Sequence, residues 1–331
     1  MRSLPNLFCI VLLSVIMLLT IHVYLFLRTA VSPGKAIRLD IASGMSAWEI
    51  SQALEKNHII TDAPMFMTIA LITKKARNLQ AGTYVFEGRH YPLEIMDTLY
   101  KGRSLKYRIT IPEGYDIYEI DKALSTMGMI ARDEFIKIAD TKDTARFFSL
   151  NAPSMEGFMY PDTYLLGPHM TSREIIARMY RRFRQIYTPE MRQRARKVGL
   201  TDLEVITLAS MIEKEAISPA EKPIISSVFH NRLRQGMKLQ SDPTAIYGIK
   251  GFRRDITPED LKRDTPYNTY LYKGLPLGPI CNPGKDSLMA ALWPAETRHL
   301  YFVSKGDGHH FFSTSFKEHN EAILKSKMMQ K

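Results

Sequence analysis

VITLASMIEKEA, residues 205–216, is the stretch whose reading decides the fold of the larger part of this chain. Its apolar residues recur at helical spacing, and Thr201 with Glu204 just ahead forms a capping box, so a helix starts there. The helix delivers two carboxylates at its far end, Glu213 and Glu215. Two positions on a helix are about 200° apart, so both cannot serve one cleft. Glu215 follows Leu208, Met211 and Ile212, an apolar stripe that desolvates a carboxyl group, whereas Glu213 follows Ala209 and Ser210 at the same spacings.

Downstream come VFHNRLRQGMKLQSDPTAIYG, residues 228–248, and TPYNTY, residues 265–270. A helix is expected to end near Asn231 and Arg232. Gln240 and Asp242 then lead into Pro243, with Asp242 read as a cap and Pro243 at the first helical position, so that backbone donors face a ligand there. Tyr247, Tyr267, Asn268 and Tyr270 add flat amphipathic rings and an amide, groups suited to stacking on sugars and orienting them. Taken singly each is more often structural; together they define a candidate site.

Upstream, residues 36–42 read as a strand, and Ser46 caps a helix carrying Ala47, Ile50, Ala53 and Leu54. A second helix is expected over 64–73, a strand over 82–87 and a short helix over 92–99. This order describes a small α+β module ending near Gly102. The strand at 105–111 opens a larger mixed α+β domain, and PEGYD at 112–116 turns into a helix from Ile117. Thr171 with Glu174 is a further capping box, Thr188–Pro189 a further helix start, and Gly199 and Gly236 helix terminators. Beyond Gly236 the chain reads as loop-rich, with strand-like runs at 300–303 and 310–313.

Residues 7–27, LFCIVLLSVIMLLTIHVYLFL, hold no Asp, Glu, Lys or Arg, and about 20 residues cross a hydrocarbon core of about 30 Å. A cleaved signal peptide would be shorter and end in small residues, whereas Tyr24, Leu25, Phe26 and Leu27 are bulky, so a retained anchor is expected. Arg2 stands on one side and Arg28, Lys35 and Arg38 on the other, and charge alone barely orients the span. A six-residue tail in the cytoplasm leaves everything from about residue 28 exported, after a linker at 28–36.

At 331 residues, with 45% hydrophobic and 24% charged residues, the chain is an ordinary globular one of two folded parts rather than a disordered or fibrous one. The net charge of +11 attracts anions without choosing among nucleic acid, lipid and acidic polysaccharide. Much of it falls on Arg178, Arg181, Arg182, Arg184, Arg192, Arg194, Arg196 and Lys197, for which a solvated helix face is the simpler account. Two cysteines, Cys9 and Cys281, make no disulfide framework. GPICNPGKDS, residues 278–287, fails as a phosphate loop because five residues separate Gly278 from Gly284 and Asp286 stands where Ser or Thr is needed. His309, His310 and His319 lack metal-ligand spacing and read as surface or packing residues.

LASMIEKE, NRLRQGMKLQSDPTAIYG, YNTY and GLPLGPICNPG, with AGTY at 81–84, PEGYD, and EGFMYPDTY at 156–164, resemble the YceG-like family of endolytic murein transglycosylases, in order along nearly the whole chain. The resemblance implies a single-pass protein of the bacterial inner membrane. It divides the chain into a cytoplasmic tail (1–6), a transmembrane helix (7–27), a linker (28–36), a LysM-like module (37–104) and a periplasmic catalytic domain (105–331).

It also implies a carbon–oxygen lyase that cuts the MurNAc–GlcNAc β-1,4 bond of nascent peptidoglycan, leaves 1,6-anhydro-MurNAc ends and thereby terminates elongation. No metal or organic cofactor enters that chemistry. Glycan strands and the membrane are the implied partners, with peptidoglycan synthases as candidates and no nucleic acid. Motif matching places the catalytic glutamate on Glu215, in agreement with the helix geometry. Asn231, Arg232, Gln240, Asp242, Tyr247, Tyr267, Asn268 and Tyr270 are the expected substrate-binding residues. His230 departs from the apolar residue common before Asn231. Two alternatives remain: a hydrolytic muramidase, with Glu213 or Asp242 as second carboxylate, and a non-catalytic wall-binding scaffold.

Overall fold

The computed structural model describes residues 4–249 and 255–329, so the first residues of the expected cytoplasmic tail lie outside the described residues. The chain divides into two compact units, Met1–Tyr107 with Leu165–His169, and Arg108–Tyr164 with Met170–Lys331.

The first unit starts with helix α1 (Leu4–Arg28), whose segment Phe8–Arg28 is long and apolar enough to cross a membrane. There follow strand β1 (Ile37–Ile41), helices α2 (Ala47–Lys56) and α3 (Ala63–Ile72), strand β2 (Gly82–Phe86) and helix α4 (Pro92–Tyr100). β1 and β2 pair antiparallel, Ile37 opposite Phe86 and Ile41 opposite Gly82. The period-two alternation puts Leu39, Ile41, Tyr84 and Phe86 in a core shared with Ile50, Leu54, Phe66, Ile95 and Leu99. Ser46 and Glu49 complete the capping box of α2, and Asp62 caps α3. The stretch after α1, expected to be a linker, is instead tied down. Val31 and His90 exchange two backbone hydrogen bonds, at 3.0 and 2.9 Å, and Phe26 of α1 is itself buried in the module core.

Along the rest of the chain come β3 (Tyr107–Thr110), α5 (Ile117–Thr126), α6 (Glu134–Ala139), α7 (Lys142–Phe147), β4 (Thr163–Leu166), α8 (Ser172–Ile186), α9 (Pro189–Lys197), α10 (Asp202–Glu215), α11 (Lys222–Arg234), α12 (Asp242–Ile246), α13 (Lys285–Leu292), β5 (Tyr301–Ser304), β6 (His310–Ser313) and α14 (Phe316–Met329), all in the second unit but for the ends of β3 and β4 at Tyr107 and Leu165–Leu166. Strands β3 and β4 form one two-stranded sheet, and β5 and β6 another, antiparallel. Both capping boxes read from the sequence are present on α8 and α10, and Gly199 and Gly236 end their helices at positive φ.

α10 is the axis of this unit. Every residue from Val205 to Ile212 is buried, and the helix packs against α11 and α13. Such all-round burial explains why apolar and small residues, Thr207 and Ser210 included, cover every side of it. Three sequence motifs converge beside it. Glu156 accepts from Asn282 Nδ2 at 2.8 Å and from Ile117 N at 3.0 Å, while Asn282 Nδ2 also reaches Tyr115 O at 3.0 Å and its Oδ1 accepts from Met159 N at 2.9 Å. PEGYD, EGFMYPDTY and GPICNPG are thus one buried hydrogen-bond knot. The region beyond Gly236 is less loop-like than the sequence suggests. It holds α13, whose start at Gly284 carries no side-chain cap, and α14, where Ser315 Oγ accepts from Glu318 N at 3.2 Å, a capping signal in the sequence that the loop-rich reading passes over.

Candidate active site

Glu215 is the last residue of α10, where Ala216 turns the backbone to extended geometry. Its carboxyl sits in the wall of a cleft of about 640 Å³, to which α10, α11, the turn before α12, the loop carrying Tyr270, β5, β6 and α14 all contribute. Burial pushes the Glu215 carboxyl up to about pKa 7. The nearby Asp242 charge adds to the rise, against a hydrogen bond from Ser241 and the Arg232 charge, which both lower it. The carbonyl end of α10 disfavours a negative charge in the same sense.

Ser241 Oγ donates to Glu215 Oε1 at 2.6 Å. Ser241 is itself fixed, because its N–H donates to Thr269 Oγ1 at 3.0 Å and its carbonyl accepts from Thr244 Oγ1 at 2.6 Å. Gln240 before it adopts a left-handed φ of 50° and donates its N–H to Thr269 O at 3.3 Å. The QSDP turn is therefore held against YNTY by backbone geometry, which aims one hydroxyl at one carboxyl oxygen. Ser241, not Asp242, is the residue preceding α12, with Pro243 in its first turn. The Asp242 carboxylate instead accepts from the Tyr270 hydroxyl.

Glu213 has a different role. Its carboxylate receives Lys222 Nζ at 3.1 and 3.2 Å, Gly284 N at 2.9 Å and Ser287 Oγ at 2.6 Å. Gly284 precedes α13 and has no side chain to cap it, so Glu213 supplies the missing acceptor from another helix. A Cβ at Gly284 would meet the Glu113 carboxyl carbon at 2.0 Å, which explains the glycine at ordinary φ.

Of the expected substrate-binding residues, Arg232, Gln240, Asp242 and Tyr270 line the cleft with Glu215. The other four do not. Asn231 Nδ2 donates to Thr297 O at 3.0 Å and His299 O at 2.8 Å, holding the strand approach to β5. Asn268 is fully buried, donating to Leu261 O at 3.0 Å and Arg263 O at 2.7 Å and accepting from Tyr270 N at 2.9 Å. Tyr247 donates to Glu156 at 2.9 Å, and its ring meets that of Tyr267 with centroids 4.6 Å apart. Buried amides and phenols must find partners, and here those partners are the protein's own. Even Arg232 spends its guanidinium on Leu300 O at 2.6 Å and Leu239 O at 2.8 Å, lining the cleft while bracing its walls.

Sequence reasoning missed Ser241 and the far wall made by Tyr301, Phe302, His310, Phe316, His319 and Ile323. The spacing of Phe316, His319 and Ile323, three and four residues apart, was the available signal of a helix face. His310 is paired through Nδ1 with Glu221 at 2.7 Å, while the His319 ring stacks on Tyr301 with centroids 5.1 Å apart. Among the described residues no group of three His, Cys, Asp or Glu side chains is placed to hold a metal ion.

The YceG-like family model matches residues 39–325. The chain belongs to the YceG-like family. This YceG-like chain is 31% identical over 301 residues to the endolytic murein transglycosylase of Bacillus subtilis (strain 168), covering 86% of this chain and 83% of that protein. It is 26% identical over 321 residues to the endolytic murein transglycosylase of Streptococcus pneumoniae serotype 2, covering 87% of this chain but only 58% of that longer protein. A crystal structure of a yceG-like protein from Listeria monocytogenes superposes with a TM-score of 0.60 at 30% identity, covering 87% of this chain and 99% of the other.

Proposed function

We propose that this chain is an endolytic murein transglycosylase in which Glu215 is the acid and then the base. The observation that carries this reading is one carboxyl of the cleft wall, Glu215, held near pKa 7 and fixed through one oxygen by Ser241, while Glu213 is consumed by Lys222 and α13. A glycosidase that admits water as nucleophile uses two carboxylates. A lytic enzyme uses one. Protonated Glu215 gives its proton to the glycosidic oxygen as the MurNAc C1–O bond breaks. The C6 hydroxyl oxygen then closes onto C1, its proton returns to the Glu215 carboxylate, and no water is consumed.

Asp242 is the other carboxylate among the described cleft residues. The hydroxyl of Tyr270 occupies one of its oxygens, and we assign it to sugar binding with Gln240 and Tyr270. The transglycosylase names of the B. subtilis and S. pneumoniae relatives favour the lytic reaction over hydrolysis and over a non-catalytic scaffold.

Activity should fall as pH rises through about 7, because the acid form of Glu215 starts the reaction. Ser241→Ala removes a hydrogen bond that lowers the Glu215 pKa, so the alkaline limb should move to higher pH. Such bonds to charged groups contribute about 1.5–3 kcal/mol, so kcat should drop roughly tenfold or more with little change in KM. Initial rates of fragment release between pH 5 and 9 check both expectations. An alkaline limb that stays in place in Ser241→Ala would remove Ser241 from the mechanism.

With murein as substrate, the residues beyond α1 lie outside the cytoplasmic membrane, α1 is the retained anchor and the residues ahead of it face the cytoplasm. The βααβ order from β1 to β2, followed by α4, supports a LysM-like glycan-holding module over 37–104 ahead of a catalytic domain at 105–331. A C-terminal reporter that works only in the cytoplasm should be silent on the full chain. An active reporter would reverse this topology.

A further inference from the structure

The helix α3 is a ten-residue apolar segment, APMFMTIALI, in a module whose other helices are amphipathic and charged. Its inward positions Ala63, Phe66, Ile69 and Ala70 fill the core. Its outward positions are Pro64, Thr68, Leu71 and Ile72, one face at helical spacing, with Leu71 58% and Ile72 75% exposed. The Thr68 hydroxyl donates back to Pro64 O at 2.8 Å, so its methyl is what that face offers. No charged residue interrupts the helix from Ala63 to Ile72, and Lys74 and Lys75 follow after its C-cap, Thr73. A water-facing helix surface of this composition calls for a covering partner.

The membrane anchor shows what that partner is. His22, inside the apolar segment of α1, lies 3.2 Å through Nε2 from Asp62 Oδ2, and Asp62 is the residue that caps α3. Phe26, one turn further along α1, is 4% exposed within the module core, and the Val31–His90 pairing locks the exit of α1 to the same fold. The start of α3 is thus bolted to α1 at the level of His22. Six residues at 1.5 Å rise place that level about 9 Å below Arg28, the end of the apolar segment. Tyr24, exposed and with the Arg28 guanidinium 5.8 Å from its ring centroid, has the aromatic and basic character of a headgroup-level girdle. Interfacial helices sit about 5–10 Å into the headgroup and acyl boundary, which matches the depth of this contact.

We propose that the outward face of α3 is a membrane-contact surface, laid into the phospholipid interface beside α1. This rests on α1 being a membrane span. Lys74, two residues past the helix, suits an anionic headgroup, while Lys75 is turned to Asp97 at 3.6 Å. The first module is then seated on the bilayer rather than swinging on a tether, and its height above the membrane is set by two contacts instead of one.

The test uses the full chain with Cys9→Ser, reconstituted in vesicles of phosphatidylethanolamine and phosphatidylglycerol. Nitroxides are attached singly through Leu71→Cys, Ile72→Cys, Leu18→Cys and Leu324→Cys. Leu18 lies within the anchor and Leu324 is exposed on α14. Collision rates with oxygen, which concentrates in lipid, and with a water-soluble nickel chelate then report depth. The oxygen-to-nickel ratio at Leu71 and Ile72 should exceed that at Leu324 several-fold and approach that at Leu18. A lipid signal at Leu18 with water-like values at Leu71 and Ile72 would overturn the proposal and leave the anchor standing. Water-like values at Leu18 would sink both. Spin–spin broadening between copies at Leu71 without lipid contact would give this face to a second chain and overturn the proposal as well.

Discussion

Glu215→Gln is expected to abolish release of soluble fragments from glycan strands while making the protein more stable above neutral pH. The loss of turnover follows from the chemistry, since an amide neither protonates the leaving oxygen nor accepts the C6 proton. The gain in stability follows from linkage. The folded pKa of about 7 lies above the ordinary value of 4.5, so between those pH values the folded chain holds a proton that the unfolded chain has lost. Stability therefore falls as pH rises from about 4.5 to 7, and the full cost of ionising the buried carboxyl is present above 7. Glutamine carries no such cost and can still accept from Ser241. The variant should match the parent near pH 4 and exceed it at pH 8 by on the order of 3 kcal/mol. Denaturant midpoints at the two pH values measure this. Equal midpoints at pH 8 would mean that Glu215 is not desolvated as described, and fragment release by the folded variant would remove it from the chemistry.

The second large effect belongs to the neighbouring carboxylate. Glu213 and Lys222 have side chains 8% and 5% exposed, and Glu213 also caps α13 through Gly284 and Ser287. Truncating one partner of such a pair strands the other charge in the interior, at a cost of about 3–5 kcal/mol. Glu213→Ala should therefore lose that much stability, with Lys222→Ala close behind. The double variant Glu213→Leu with Lys222→Met should recover a large part, because no buried charge is left behind. A loss below about 1 kcal/mol in Glu213→Ala would show that the pair is solvated and that Glu213 is free for another role. The two glutamates of EKE thus separate by experiment, one through turnover and the other through stability.

The sequence carried the parts of the fold that local chemistry writes down. Capping boxes at Thr171 and Thr201, the proline after Thr188 and the glycines at 199 and 236 each leave a residue-level mark, and the helices follow them. The separation of Glu213 from Glu215 was legible because helix pitch alone decides it. What a neighbouring side chain does with its hydrogen bonds was not. Asn231, Asn268, Tyr247 and Tyr267 have the chemistry of sugar-binding residues, yet the amides of Asn231 and Asn268 hold backbone carbonyls at 297, 299, 261 and 263 and the Tyr247 hydroxyl donates to Glu156, partners that residue type alone does not announce. Ser241 went unnoticed for the converse reason. A serine ahead of Asp and Pro reads as turn punctuation, and its importance depends on a carboxyl 26 positions earlier in the chain. The wall built by β5, β6 and α14 was obscured because two four-residue strands carry little periodicity and the polar face of α14 hides its short apolar one.

The chemical form of the new glycan end tests the central claim most directly. Uncrosslinked glycan strands incubated with the full chain in detergent, followed by mass spectrometry of the released fragments, distinguish intramolecular closure from attack by water. One-carboxylate chemistry at Glu215 predicts fragments ending in 1,6-anhydro-MurNAc, each lighter by one water than the corresponding reducing-end fragment, in the parent and none in Glu215→Gln. Reducing ends as the main product would contradict the account and assign the second carboxylate of a hydrolase to Asp242.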